Sequence, residues 1–177
     1  GFFSNYNVNL PILSDTNTLT NTYNYKIFKE LYENNISTVS FLLKSANSIS
    51  SDDIKLSERL YIPGKRLRGF ETGKVGPKDG SDFIGGNYAS SINATTTVPM
   101  ILENVQSVDI VLFADAANIW GVDYNSSLDK TGIRSSVGIG IDWLTAVGPL
   151  TFSFAQPITK EPTDIEETFR FNIGTSF

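Results

Sequence analysis

Ile133-Arg-Ser-Ser-Val-Gly-Ile-Gly-Ile-Asp-Trp143 is followed by Leu150-Thr-Phe-Ser-Phe-Ala155 and, at the end of the chain, by Phe169-Arg-Phe-Asn-Ile-Gly-Thr-Ser-Phe177. All three stretches alternate. Val137, Ile139, Ile141 and Trp143 are separated by Gly138, Gly140 and Asp142. Leu150, Phe152 and Phe154 are separated by Thr151 and Ser153, and Phe169, Phe171 and Ile173 by Arg170 and Asn172. Successive side chains of a strand point to opposite faces. Each stretch therefore has one bulky apolar face and one small or polar face. The outer face of a water-soluble sandwich is charged. Here the polar face is short of charge and rich in Gly, Ser, Thr, Asn and Ala, which suits a packed or wet barrel lumen. The bulky face suits lipid. Alternation by itself also fits a soluble eight-stranded barrel or sandwich with its apolar face inward.

Working outward from these stretches, strand-forming residues recur along the whole chain with almost no helical period. Eight strands are expected, at about residues 2–13, 18–30, 36–48, 82–98, 107–117, 133–144, 148–157 and 166–177. In the fourth, Ile84, Tyr88, Ile92 and Val98 share a parity opposite to Asn87, Ser91, Asn93 and Thr95. Some connections are tight, such as Thr145-Ala-Val-Gly148. Others are long and polar, such as Asn118–Gly132 and Ser50–Gly80. Short turns alternating with long loops are the outer-membrane habit, and only closed sheets can span lipid without stranding backbone groups. The expected fold is all-β: an antiparallel transmembrane barrel segment, with residues 1–177 as one domain.

Composition narrows the chemistry. Among 177 residues there is no cysteine and no histidine. That excludes disulfide scaffolds, Cys/His zinc sites and Cys or His catalysis. The net charge of −5 argues against a nucleic-acid partner, which needs a basic face. No apolar run approaches the roughly 18–20 residues of a membrane helix. The chain opens at Gly1-Phe2-Phe3 in strand-like sequence, with no signal peptide, and reads as part of something longer.

The motifs sharpen the reading. Leu67-Arg68-Gly69-Phe70 sits in a loop of about 30 residues, within Tyr61–Phe70 and ahead of Gly76-Pro77-Lys78. Loops that long are usually functional or disordered. The apolar start Leu60-Tyr61-Ile62-Pro63 favours packing over disorder. Gly85-Gly86-Asn87 follows, then Phe113-Ala-Asp115 and the two strands Ile133–Trp143 and Gly148–Pro157. In this order the segments resemble the BamA superfamily (the bacterial surface antigen family) of outer-membrane barrels, from about Lys55 to Phe177. Residues 1–50 match only in strand pattern. The motif loop resembles the family's sixth extracellular loop, which folds back into the barrel and carries Val-Arg-Gly-Phe, with Leu67 here for Val. Gly76-Pro77-Lys78 matches the BamA branch.

The resemblance implies a sixteen-stranded barrel, of which this chain is the second half; the first strands and the periplasmic POTRA domains are absent. It implies that Arg68, flanked by Gly69 and Phe70, reaches the lumen wall and pairs with Asp115. The physics agrees. Asp115 shares its strand face with Val111 and Phe113, while Ile110 and Leu112 lie on the other. A carboxylate toward lipid is costly, and a buried one needs a partner. An Arg fork on a carboxylate is a strong, directional contact. In the family the strand after the loop often supplies a second acid. Counting from Gly85 and Gly86, that position is Thr95, so a single-acid lock is expected. The final aromatic, Phe177, with Phe169 and Phe171 before it, resembles the outer-membrane β-signal. Gly174 permits a bend in that strand. In the family the strand lies at a weak seam that templates client strands by β-augmentation.

The implied function is assembly and insertion of β-barrel proteins in the Gram-negative outer membrane, without catalysis or cofactor. The implied partners are outer-membrane lipids, client outer-membrane proteins and accessory lipoproteins of the assembly complex. A related transporter of unfolded clients and a passive porin-like barrel remain as alternatives. Lys65, Arg66 and Arg68 read as a small solvated or lumen-facing basic cluster. Asp52, Asp53, Glu161, Asp164, Glu166 and Glu167 read as loop charges.

Overall fold

A computed structural model describes residues 1–11, 17–33, 35–98, 107–129, 132–146 and 148–174. The strands are β1 (Phe2–Asn9), β2 (Thr18–Glu30), β3 (Ile36–Ser48), β4 (Gly69–Phe70), β5 (Lys78–Asp79), β6 (Asp82–Phe83), β7 (Tyr88–Thr97), β8 (Val108–Trp120), β9 (Arg134–Thr145), β10 (Gly148–Thr159), β11 (Glu166–Glu167) and β12 (Phe169–Ile173). Eight of them form one antiparallel sheet in the order β1-β2-β3-β7-β8-β9-β10-β12. The sheet is a meander in chain order, interrupted only by the small strands of the loops. Among the described residues it is open, with β1 and β12 as its edges.

The register shows how alternation builds two surfaces. Leu112 stands opposite Ile139, Ile139 opposite Phe154, and Phe154 opposite Phe169. This bulky row crosses four strands on the outer face. Ile139 is 49% exposed, Phe154 54% and Phe171 43%. Two aromatic pairs, Phe152–Phe171 and Phe154–Phe169, each stand 4.9 Å apart across β10 and β12. A continuous apolar surface of this kind is foreign to a monomeric soluble protein. It is what hydrocarbon contact requires.

The inner face carries a matching polar row. Lys26 is opposite Ser40, Ser40 opposite Asn93, Asn93 opposite Asp115, Asp115 opposite Ser136, and Ser136 opposite Pro157. The motif loop lies against this face. Between Arg66 and Phe70 it finds hydrogen-bond partners on β2, β3, β8, β9 and β12.

Several boundaries differ from the sequence reading. β1 ends at Asn9, and residues 12–13 of the expected strand lie outside the described residues. The fourth long strand starts at Tyr88, because Asp82–Phe83 pairs instead with Lys78–Asp79 in a loop hairpin. Ile84 is therefore buried rather than lipid-facing. β8 runs to Trp120, three residues past the expected end, which shortens the following loop. In the final stretch, Glu166–Glu167 pairs with the motif loop and β12 ends at Ile173; Phe177 lies outside the described residues. The long loop also holds two 3-10 turns, Leu56–Glu58 and Gly64–Arg66.

An arginine at position 139 would face lipid at the centre of the outer row. Ile139→Arg is expected to lower folding stability of the full-length protein in lipid vesicles by about 2–4 kcal/mol, measured by denaturant titration. Ser135→Arg, nearer the strand end, is expected to cost much less.

Candidate functional site

The site grows from one carboxylate. Asp115 lies mid-strand on β8, only 2% exposed. Its two oxygens receive four donors. Arg68 gives Nε to Oδ2 at 2.7 Å, Nη2 to Oδ1 at 2.7 Å and its own backbone N–H to Oδ2 at 3.1 Å. Asn93 on β7 gives Nδ2 to Oδ1 at 2.8 Å. A carboxylate accepts about four hydrogen bonds, so Asp115 is saturated.

The floor of the site is Phe113, whose ring centroid lies 3.5 Å from the Arg68 guanidinium carbon. A cation over an aromatic face in a desolvated site is held electrostatically. Room for that ring comes from Gly138, directly opposite Phe113 in the register. A Cβ at Gly138 would lie 2.5 Å from the Phe113 ring and 2.1 Å from the Phe154 carbonyl oxygen.

The rest of the motif is anchored around this pair. Leu67 and Phe70 are buried in a cluster with Ile62, Val75, Ala117 and Ile119. Gly69 adopts φ +91°, and its backbone lies against Ser136 and Ala155. The Ser136 hydroxyl donates to the Arg68 carbonyl. Gly76 passes so close to Ile119 that a Cβ there would overlap its side chain at 2.4 Å. Pro77 is fully buried. Gly86 bridges to Leu60 and abuts the Trp120 backbone, and Gly85, with φ +66°, turns the chain into that contact.

Thr95 is not the residue beside the clamp. It stands opposite Phe113, one row away, and Asn93 occupies the position facing Asp115. The amide donates to Asp115 and to the Arg66 carbonyl, and accepts from Arg66 Nη1 at 3.2 Å. Arg66 also donates to Ser40 at 2.8 Å and Asn24 at 3.0 Å, so it is bonded to the wall. At the sheet edge, Phe169 and Phe171 face outward. Gly174 follows β12 with φ +98° and donates its N–H to the Pro149 carbonyl at 2.8 Å.

Sequence reasoning missed two ion pairs whose arginines are buried. The side chain of Asp164, read as a loop charge, is fully buried and bridged by Arg134, Nε to Oδ2 at 2.9 Å and Nη2 to Oδ1 at 3.2 Å. Asp164 also accepts the backbone N–H of Gly76 at 3.3 Å. Arg134 shares the inward parity of Ser136, which was the available signal; nothing in the spacing named its partner. Arg59 is likewise buried against Asp123 in the loop beyond β8. Burial alone would raise the Asp123 pKa. Hydrogen bonds from the Ile54 N–H and the Asn87 side chain, with the Arg59 charge, outweigh it and hold the carboxyl below its ordinary value.

An outward apolar face, an inward polar face and a loop fastened to the lumen wall define a segment of an outer-membrane β-barrel with a lumen-bound loop. The Omp85 superfamily domain matches residues 1–177. The chain belongs to the Omp85 superfamily. It is 32% identical to the outer membrane protein assembly factor BamA of Neisseria meningitidis, over 71% of this chain and 19% of that protein. It is 27% identical to that of Neorickettsia risticii, over 78% of this chain and 19% of that protein. A crystal structure of BamA from Haemophilus ducreyi lacking POTRA domains 1–3 superposes with a TM-score of 0.84 at 26% identity, covering 97% of this chain and 37% of that one. The chain thus spans about a fifth of the length of these curated relatives.

Removing Arg68 leaves Asp115 buried with one side-chain donor. Arg68→Ala is expected to destabilise the folded full-length barrel by about 3 kcal/mol. Because the two groups act as a pair, Arg68→Ala/Asp115→Ala is expected to cost less than the sum of the single changes, as a double-mutant cycle in denaturant would show.

A depressed folded-state pKa at Asp123 stabilises the loop contact above the unfolded value of about 3.9, and that stability is lost as pH falls through the folded value. Protease resistance of the 50–60 loop is expected to persist at pH 5 and to fall in stronger acid. Asp123→Asn should remove this acid step.

Proposed function

We propose that this chain is the C-terminal half of the barrel of an outer-membrane protein that assembles and inserts other β-barrel proteins. It would work without covalent chemistry and without a cofactor. The remaining strands and the POTRA domains would lie in the rest of the protein. The observation that carries the reading is the clamp: a loop arginine held in a fork by a buried lumen aspartate, inside a sheet that matches named assembly factors over most of its length. Arg68, Gly69, Phe70 and Asp115 would keep the barrel stable while its edge is weak. Gly85, Gly86, Gly76 and Pro77 would set the path of the loop.

The edge strand fits a templating role. Among the described residues β12 pairs with β10 over five residues, against eleven for β9 with β10. An edge with unpaired N–H and C=O groups can accept an incoming strand. Client outer-membrane proteins would engage there, with lipid on the apolar face and accessory lipoproteins of the assembly complex elsewhere on the whole protein. The aromatic Phe177, after Phe169 and Phe171, would serve as part of the tag by which this barrel is itself recognised.

The test reconstitutes the full-length protein in lipid vesicles with an unfolded barrel client, scoring client folding in the bilayer against client delivered to the vesicle interior. Accelerated folding without delivery is the expected result. Arg68→Ala should reduce the rate at least about tenfold, the equivalent of about 1.4 kcal/mol in the barrier. Delivery without folding would favour a transporter. Ion conductance with neither would favour a porin.

A further inference from the structure

The motif loop is tied to the terminal strand as well as to the wall. Gly69–Phe70 pairs antiparallel with Glu166–Glu167, immediately ahead of β12. The Glu71 N–H donates to the Ile165 carbonyl at 2.9 Å, and the Ile165 N–H donates to the Lys74 carbonyl at 3.1 Å. Arg170, on β12 itself, completes the junction. Its Nη2 donates to the Phe70 carbonyl at 2.6 Å, and its Nε donates to Glu167 at 2.8 Å. The guanidinium lies under Gly64, where an added Cβ would overlap it.

Arg170 stands opposite Ser153, on the inward face, while its neighbours Phe169 and Phe171 face lipid. Among the described residues β12 is held on one side by its pairing with β10, extended by the Ala155 N–H to the Thr168 carbonyl and the Gly174 N–H to the Pro149 carbonyl, and from within by the lumen loop through Arg170. The loop in turn is held by Arg68 on Asp115, two residues before the carbonyl that Arg170 grips.

We propose that Arg170 is a positioning residue that couples the lumen loop to the terminal strand, so that releasing the clamp at Asp115 loosens the β12 edge. This rests on the reading of β12 as the edge that engages clients, but it makes a claim about the protein alone. Coupling between two sites is reciprocal. Release of β12 must free the loop by the same factor that release of the loop frees β12, and removing Arg170 should weaken both holds.

Hydrogen exchange on the full-length protein in lipid nanodiscs reads both ends. In Arg68→Ala, the amides of Phe169–Ile173 are expected to exchange about fivefold faster or more, the lower end of typical couplings. In Arg170→Gln, the amides of residues 69–76 should accelerate by a similar factor. Arg170→Lys, which keeps the charge beside Glu167, should restore part of the protection. Glu167→Gln is a milder change at a half-exposed carboxylate and should shift the loop in the same direction. Amides of β8 and β9 serve as the control for an intact barrel. Faster loop exchange in Arg68→Ala with β12 unchanged would overturn the proposal. So would loop amides at wild-type rates in both Arg170→Gln and Glu167→Gln. Neither readout uses a client, so failure of the assembly reading would appear only in the vesicle assay.

Discussion

A sheet that turns most of its bulky side chains to hydrocarbon has few left to fill its hollow. That constraint governs the rest of this structure. The outer row from Leu112 through Ile139 and Phe154 to Phe169 is bulky and apolar. The inner row beside it offers Ser40, Asn93, Asp115 and Ser136. The space inside is occupied by a loop whose Ile62, Leu67, Phe70 and Val75 pack with the few inward apolar groups of the wall, Ala89, Ala117 and Ile119. The loop's polar backbone is then satisfied by the wall and by the strand ends.

The charges follow the same logic. A buried carboxylate is tolerable only with its lone pairs engaged, and Asp115 and Asp164 each meet an arginine fork, Asp115 with one backbone N–H beside it and Asp164 with two. The two forks hold the loop at points eight residues apart, Arg68 and Gly76. Between them the chain pairs with the segment that leads into β12. Clamp, loop and edge strand form one hydrogen-bonded assembly.

Much of the fold was legible because alternation is local. Val137 through Trp143 and Leu150 through Phe154 show their faces without reference to any neighbour, and all eight sheet strands were expected near where they occur. Arg68 and Asp115 could be named because a lone acid on an inward parity needs a cation, and the resemblance supplied one. Register was not legible. Thr95 and Asn93 share a face, and the choice between them depends on how Gly85 and Gly86 turn the chain before Tyr88. Nor could spacing show that Asp164 is buried against Arg134, 30 residues away. Glu166–Glu167 read as part of the last strand, since pairing with Gly69–Phe70 is a tertiary event with no local signature.

The most direct test of the central claim asks which face meets lipid. This chain has no cysteine; with any cysteine elsewhere in the full-length protein replaced, single cysteines carrying a fluorophore report one site each in vesicles. Leu112→Cys on the outer face should be quenched strongly by brominated acyl chains. Ser153→Cys on the inner face of β10 should be quenched weakly or not at all. Equal quenching at the two positions, or the reverse order, would contradict the account.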